Sequence, residues 1–179
     1  MNTPQTTVKV WDIPTRLFHW SLASAFTVAF ITSESERLQN IHVTCGYTVL
    51  GLIAFRLLWG VVGNPYARFS NFVRGPAAIM SYLRSLLGSH PEHHIGHNPA
   101  GAVAIVLLLV LGVATGLSGW ANYSEIGGDA MEEVHEFCAN AMMAVVVVHL
   151  AGVAVSSLLH KENLVRAMIT GRKKVNQKS

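Results

Sequence analysis

Apolar residues are concentrated in four stretches, each about as long as the 20 or so helical residues that cross a lipid bilayer. They cover residues 15–32, 41–62, 99–121 and 131–160. The third stretch contains no charged residue, whereas the first is the shortest and carries Ser21, Ser24 and Thr27 in its interior. The pattern predicts an all-α fold, an integral membrane four-helix bundle that forms a single domain over residues 1–179 with short terminal tails.

A shorter amphipathic segment lies in the polar connection between the second and third stretches. It begins at Pro76 and extends to residue 87, before Gly88, and Ile79, Leu83 and Leu86 recur at helical spacing. Proline favours the first turn of a helix, and a single apolar stripe suits a helix lying at the membrane surface. We therefore predict an interfacial helix over residues 76–87, which could simply cover the bundle.

The distribution of basic residues predicts the orientation, because lysine and arginine are retained on the cytoplasmic side. Before the first span, between the second and third, and after the fourth they are Lys9, Arg16, Arg68, Arg74, Arg84, Lys161, Arg166, Arg172, Lys173, Lys174 and Lys178. The two remaining connections are mostly acidic, with Arg37 as their single basic residue. Both termini are therefore expected in the cytoplasm.

Composition supports a membrane protein and narrows its chemistry. Hydrophobic residues make up 51% of the chain and charged residues 13%, against about 25% charged residues in soluble domains. Cys45 and Cys138 form no CxxC or CxxCH motif, so zinc ribbons, iron–sulfur clusters and covalently attached haem are unsupported. The first stretch lacks a small-residue cleavage site, so we expect it to be retained as a span rather than removed as a signal peptide.

Four of the nine histidines fall within the predicted spans. His135 and His149 are 14 residues apart, which places them on one helical face about 21 Å apart along the axis. Because successive spans alternate in direction, His19 should lie level with His149 near the inner surface, and His42 level with His135 near the outer one. Two facing pairs are typical of axial haem ligands between helices. A histidine hydrogen-bonded between helices is the alternative for each residue alone.

Arginines near the inner pair are candidates for binding haem propionates. Arg56 lies within the second span, 14 residues after His42, and Arg16 lies one turn before His19. A guanidinium can bind a carboxylate through two hydrogen bonds. The alternative for Arg56 is that its side chain extends toward the inner headgroups.

Glycines and further histidines have weaker functional interpretations. Gly46 and Gly152 follow proposed ligands by about one turn and would let a flat macrocycle approach the backbone, whereas Gly112 and Gly116 suit close helix packing. The segment HPEHHIGH contains His90, His93, His94 and His97. Its irregular spacing favours a solvated cytoplasmic loop over a metal site, although it could carry protons for quinone chemistry.

Several motifs resemble those of the bacterial cytochrome b561 family, which includes the b-type subunits of Ni/Fe-hydrogenases. They are VWDIPTRLFHW, IHVTCGYTVLGLIAFRLLWG, GHNPAG and VHEFCANAMMAVVVVHLAGV. The resemblance implies a four-helix bundle with two b haems, ligated by His19, His42, His135 and His149. It also implies electron exchange between a quinone pool and a partner such as a hydrogenase or a periplasmic c-type cytochrome. The outer loop at residues 122–130 looks short beside hydrogenase-type members, which puts docking of a large partner in doubt.

These observations predict a dihaem b-type cytochrome of the bacterial inner membrane. Its expected partners are lipid, quinone and a c-type cytochrome or other periplasmic redox protein, with no nucleic acid, and quinone oxidoreductase activity is conceivable. Two alternatives remain open. One is a proton-coupled or metal-ion transporter that uses the membrane histidines as a relay, and the other is an anchoring subunit without redox turnover.

Overall fold

The computed structural model describes residues 5–86, 88, 92 and 94–176, and this part of the chain is predominantly helical. Along the sequence the elements are β1 (Gln5–Lys9), α1 (Ile13–Thr32), α2 (Gln39–Val62), α3 (Phe69–Phe72), α4 (Pro76–Leu86), α5 (Pro99–Tyr123), α6 (Asp129–Leu159), α7 (Leu164–Thr170) and β2 (Arg172–Asn176). A single 3-10 turn, Glu36–Leu38, directly precedes α2.

The four long helices coincide with the four predicted stretches, and their ends differ from the prediction by at most two residues. Among the described residues, three segments are long and apolar enough to cross a membrane: Glu36–Val62, Pro99–Tyr123 and Asp129–Leu159. Helix α1 does not reach that degree of apolarity, so its role as a fourth span stays a prediction. The predicted interfacial helix is present as α4, and residue 87 lies outside the described residues.

Large apolar side chains project outward from the long helices. On α6, Phe137 is 73% exposed, Val148 67% and Leu158 79%. A soluble protein rarely exposes apolar patches of this extent, because each exposed side chain forfeits the free energy of burial. Lipid hydrocarbon is the solvent that suits such a surface.

The described residues form two compact units. One contains residues 17–58 and 105–147, which are parts of α1, α2, α5 and α6. Within it, α2 packs closely on α5, because Ile53 and Leu50 occupy the space that side chains at Gly112 and Gly116 would fill. These two glycines therefore serve helix packing, as their spacing predicted.

The other unit contains the described parts of residues 1–16, 59–104 and 148–179. In it the two terminal segments pair as antiparallel strands, with Lys9 opposite Arg172. The N–H groups of Val10 and Trp11 both donate to the carbonyl of Gly171, at 2.9 and 3.1 Å. Gly171 has φ 78°, and a side chain there would meet the Trp11 carbonyl, so only glycine fits this turn.

The strand pair corrects the prediction of an all-α protein with simple tails. Each strand has five residues, and their sequences, QTTVK and RKKVN, are too short and polar for a strand signal. Pairing between the two ends of a chain leaves no local trace in either segment. Val10, Trp11 and Ala167 form a small buried core next to it.

Side-chain caps fix the starts of the helices in this unit. Asp12 accepts a hydrogen bond from the backbone N–H of Thr15 at 2.9 Å and another from the indole of Trp59 at 3.0 Å. Asn98 accepts from the N–H of Gly101 at 2.7 Å, directly before the proline that opens α5. Both are N-cap arrangements, which satisfy backbone donors that the helix itself cannot.

Candidate functional site

His42 of α2 and His135 of α6 lie next to each other, as the sequence predicted. Their ring centroids are 5.9 Å apart, and the two ring planes are nearly perpendicular, at 86°. Both side chains are half-buried. Histidines far apart in the sequence thus meet because α2 and α6 bring them to the same place within one compact unit.

Each of these imidazoles is anchored by a backbone carbonyl of a neighbouring helix. Nδ1 of His42 lies 2.8 Å from the carbonyl oxygen of Ala29 in α1, and Nδ1 of His135 lies 2.8 Å from that of Thr115 in α5. A carbonyl can only accept, so both Nδ1 atoms carry the proton and donate. In the neutral ring the lone pair is then on Nε2, which leaves that nitrogen available as a ligand.

A glycine on α5 makes room for the His135 ring. A Cβ atom at Gly119 would lie 2.7 Å from Cε1 and 2.9 Å from Nδ1 of His135. Both distances are shorter than real Cβ contacts, so a larger residue would displace the ring. Sequence analysis did not identify Gly119, although it continues the series of Gly112 and Gly116 at helical spacing.

This site fits a haem held by two axial histidines. Two imidazoles bound to one metal need ring centroids roughly 6 Å apart, from two bonds of about 2 Å and the ring radii of about 1.1 Å, close to the observed 5.9 Å. The space beside Gly46, one turn after His42, is open, because a Cβ there would have no heavy atom within 4 Å. Among the described residues no group of three or more metal-binding side chains occurs, and a haem iron needs only two from the protein.

The two arginines that were predicted to bind propionates lie in different surroundings. Arg56 of α2 is only 3% exposed, so its side chain does not extend into the headgroup region. Arg16, at the start of α1, donates from Nε to the carbonyl of Met168 at 3.3 Å and from Nη2 to the carbonyl of Ile169. The guanidinium of Arg16 therefore caps the carbonyl end of α7, and its binding of a propionate stays a prediction.

The other predicted histidine pair and the two cysteines are also located. His19 lies in α1 and His149 in α6, and both are half-buried; their pairing stays a prediction. Cys45 is a half-buried free thiol and Cys138 a buried one.

The histidine-rich loop contributes to a cavity of about 380 Å³. The lining includes Tyr66, Phe72, Arg74, His94 and His97. The ring of His97 lies 4.5 Å from the rings of both Trp11 and Phe72. His90 and His93 lie outside the described residues.

Fold and site together define a membrane protein of the b-type cytochrome class. A family model described as prokaryotic cytochrome b561 matches residues 10–171, which is most of the chain, and the protein belongs to that family. The predictions of a multi-pass membrane protein, of electron transport and of noncovalent haem b are thereby confirmed. Membership of a cytochrome family also favours electron transfer over the transporter alternative.

Relatives with assigned names are bacterial hydrogenase cytochromes. A probable Ni/Fe-hydrogenase B-type cytochrome subunit of Rhodobacter capsulatus is 23% identical over 94% of this chain and 82% of its own length. The corresponding Azotobacter vinelandii protein is 29% identical over 70% of this chain and 64% of its own length. The probable Ni/Fe-hydrogenase 1 B-type cytochrome subunit of Escherichia coli K12 is 25% identical over 65% and 60%. No solved structure gave a significant match.

Proposed function

We propose that the protein is a dihaem electron carrier of the bacterial cytoplasmic membrane, which exchanges electrons between quinone and a redox partner on the outer side. Four helices, α1, α2, α5 and α6, would span the membrane, with both termini in the cytoplasm. The observation that carries the proposal is the His42–His135 pair, whose rings are 5.9 Å apart and whose Nδ1 atoms both donate to carbonyls.

His42 and His135 would hold the outer haem through Nε2. When bound, a haem of this type supplies a one-electron Fe(III)/Fe(II) couple. The protein fixes both ring tautomers with the carbonyls of Ala29 and Thr115, so no proton has to move from a ligand nitrogen when the group binds.

His19 and His149 would hold the second, inner haem. This part of the proposal rests on the spacing of 14 residues between His135 and His149 and on the alternating direction of the spans. Arg56 is the arginine best suited to an inner propionate, because a guanidinium that is 97% shielded from solvent calls for a negative partner.

Haem content of single-histidine variants tests both assignments. His42→Ala and His135→Ala should each lose the outer haem and keep the inner one, whereas His19→Ala and His149→Ala should do the reverse. His160→Ala, at a histidine outside both pairs, serves as the control and should keep two haems. If His42→Ala and His135→Ala affected different haems, the pairing would be wrong.

Quinone would react in the loop cavity. Its volume of about 380 Å³ lies within the roughly 300–1,000 Å³ typical of small-molecule sites. Phe72 and Tyr66 provide aromatic surface for a flat ring, and His94 and His97 could carry protons. Replacing His94 and His97 by glutamine should lower quinone turnover at unchanged haem content, and unchanged turnover would exclude the cavity.

The redox partner would dock on the acidic outer connections. The loop between α5 and α6 is only five residues long, from 124 to 128. The relatives' names make a hydrogenase one candidate partner, and a c-type cytochrome is the other. Identification of the protein that copurifies in mild detergent distinguishes them.

A further inference from the structure

Two buried hydroxyl groups share the carbonyls that anchor the outer histidine pair. Oγ1 of Thr32 lies 3.1 Å from the Ala29 carbonyl oxygen, which also accepts from His42. Oγ of Ser118 lies 3.1 Å from the Thr115 carbonyl oxygen, which also accepts from His135. Both hydroxyl residues are only 6% exposed.

The two arrangements match in every respect that the structure shows. In each, the hydroxyl residue stands three positions after the carbonyl residue, and its oxygen also contacts the preceding carbonyl, of Val28 at 2.7 Å or Ala114 at 2.8 Å. Each imidazole nitrogen lies 2.8 Å from its own carbonyl. Helices α1 and α5 thus present the same device to the two ligands.

We infer that Thr32 and Ser118 are positioning residues that raise the reduction potential of the outer haem; the inference rests on the assignment of His42 and His135 as its ligands. A carbonyl oxygen that accepts two donors binds each less strongly than one that accepts a single donor. The hydroxyls therefore weaken the hydrogen bond from each imidazole N–H and reduce the basicity of the ligand nitrogen. A less basic ligand stabilises Fe(III) less, which favours Fe(II).

An opposite effect is conceivable for Ser118, because its Oγ also lies 3.5 Å from Nδ1 of His135 and could accept from it. That separation is at the outer limit for a hydrogen bond, whereas the Thr115 carbonyl lies 2.8 Å from the same nitrogen. The carbonyl therefore takes the proton, and the hydroxyl acts mainly as a competing donor.

Redox titration of the purified dihaem protein tests the inference. Thr32→Val and Ser118→Ala should each shift the Fe(III)/Fe(II) equilibrium of the outer haem about twofold toward Fe(III), since polarisation through one hydrogen bond changes its neighbour by roughly 10–30%. A twofold change is about 18 mV for a one-electron couple. The two hydroxyls act on different carbonyls, so the double variant should shift the equilibrium about fourfold, or about 36 mV.

Three further proteins serve as controls. Thr48→Val removes an exposed hydroxyl that donates to the Thr44 carbonyl at 2.8 Å but touches no ligand, and it should leave both potentials unchanged. Thr32→Ser and Ser118→Thr keep the hydroxyl and should keep the wild-type potential. The component that belongs to the outer haem is the one that disappears in His135→Ala.

The outcomes separate this inference from the proposed function. A chain without haem, or His135→Ala with both haems intact, overturns the proposed function. Thr32→Val and Ser118→Ala proteins that hold two haems with an unchanged or raised outer potential overturn only the inference. If those variants lose haem, a shifted potential in Thr32→Ser or Ser118→Thr overturns it, and wild-type values in both support it.

Discussion

Gly119→Ala should selectively remove the outer haem. The added Cβ would lie 2.7 Å from Cε1 of His135, whereas carbon atoms in contact prefer about 3.5–4.0 Å. The ring would have to retreat by about 0.8–1.3 Å. A retreat of that size would break the 2.8 Å hydrogen bond from His135 to the Thr115 carbonyl and misalign Nε2.

The cost can be worked out from these two effects. Overpacking costs about 1–3 kcal/mol, and the lost hydrogen bond costs about 0.5–1.5 kcal/mol. Together they weaken binding of the outer haem about 10- to 1,000-fold, at about 1.4 kcal/mol for each factor of ten. Helix propensity acts in the opposite direction, because alanine is better than glycine by up to about 1 kcal/mol.

Haem content per chain, measured from reduced-minus-oxidised spectra of the purified protein, is the assay. Gly119→Ala should keep only the inner haem. Gly51→Ala is the matched control, because a Cβ at that position of α2 meets no heavy atom within 4 Å. Two haems with a wild-type spectrum in Gly119→Ala would refute the steric argument, and equal losses in both variants would show a general effect of helix glycines.

Three further perturbations test other parts of the structure. Gly46→Leu should fill the open space after His42 and lower outer-haem occupancy at unchanged helix content by circular dichroism, while Gly51→Leu should not. Asp12→Ala should lower the free energy of unfolding in denaturant titrations by about 1–2 kcal/mol, since it removes the cap of α1 and the acceptor of Trp59; no change would show that neither bond matters. Burial lowers the pKa of Lys173 below its usual 10.5, with partial compensation by Glu162. Between the lowered pKa and 10.5 the unfolded chain binds more protons, so amide-exchange protection of β1 and β2 should rise with pH in that window. Lys173→Met should lose this slope.

The long helices could be predicted from sequence because their signals are local. Apolar runs bounded by capping residues such as Asn98 and by prolines define their ends. The His42–His135 pair followed from the same information, because helical spacing and the alternation of spans place both residues at one level. Periodicity along single helices was thus enough to identify the ligand pair that the structure brings together.

The surroundings of that pair could not be predicted in the same way. Ala29 and Thr115 contribute backbone carbonyls, and a backbone atom leaves no mark on the choice of side chain. Gly119 could have been noticed as the third glycine on one face of α5, but its contact with His135 depends on how α6 packs there. The strand pair was missed because its partners lie at opposite ends of the chain.

Helix α1 shows why apolarity alone underestimates a helix inside a bundle. Phe18, Ala25, Phe26, Ala29 and Thr32 of α1 are all less than 10% exposed, whereas α6, which is longer, buries mainly Cys138, Met142 and Ser156. A helix that contacts other helices over much of its surface presents less of that surface to lipid and can retain more polar side chains. Because α1 also supplies the Ala29 carbonyl to His42, its replacement by a more apolar helix without these contacts should remove the outer haem even if the new helix inserts well.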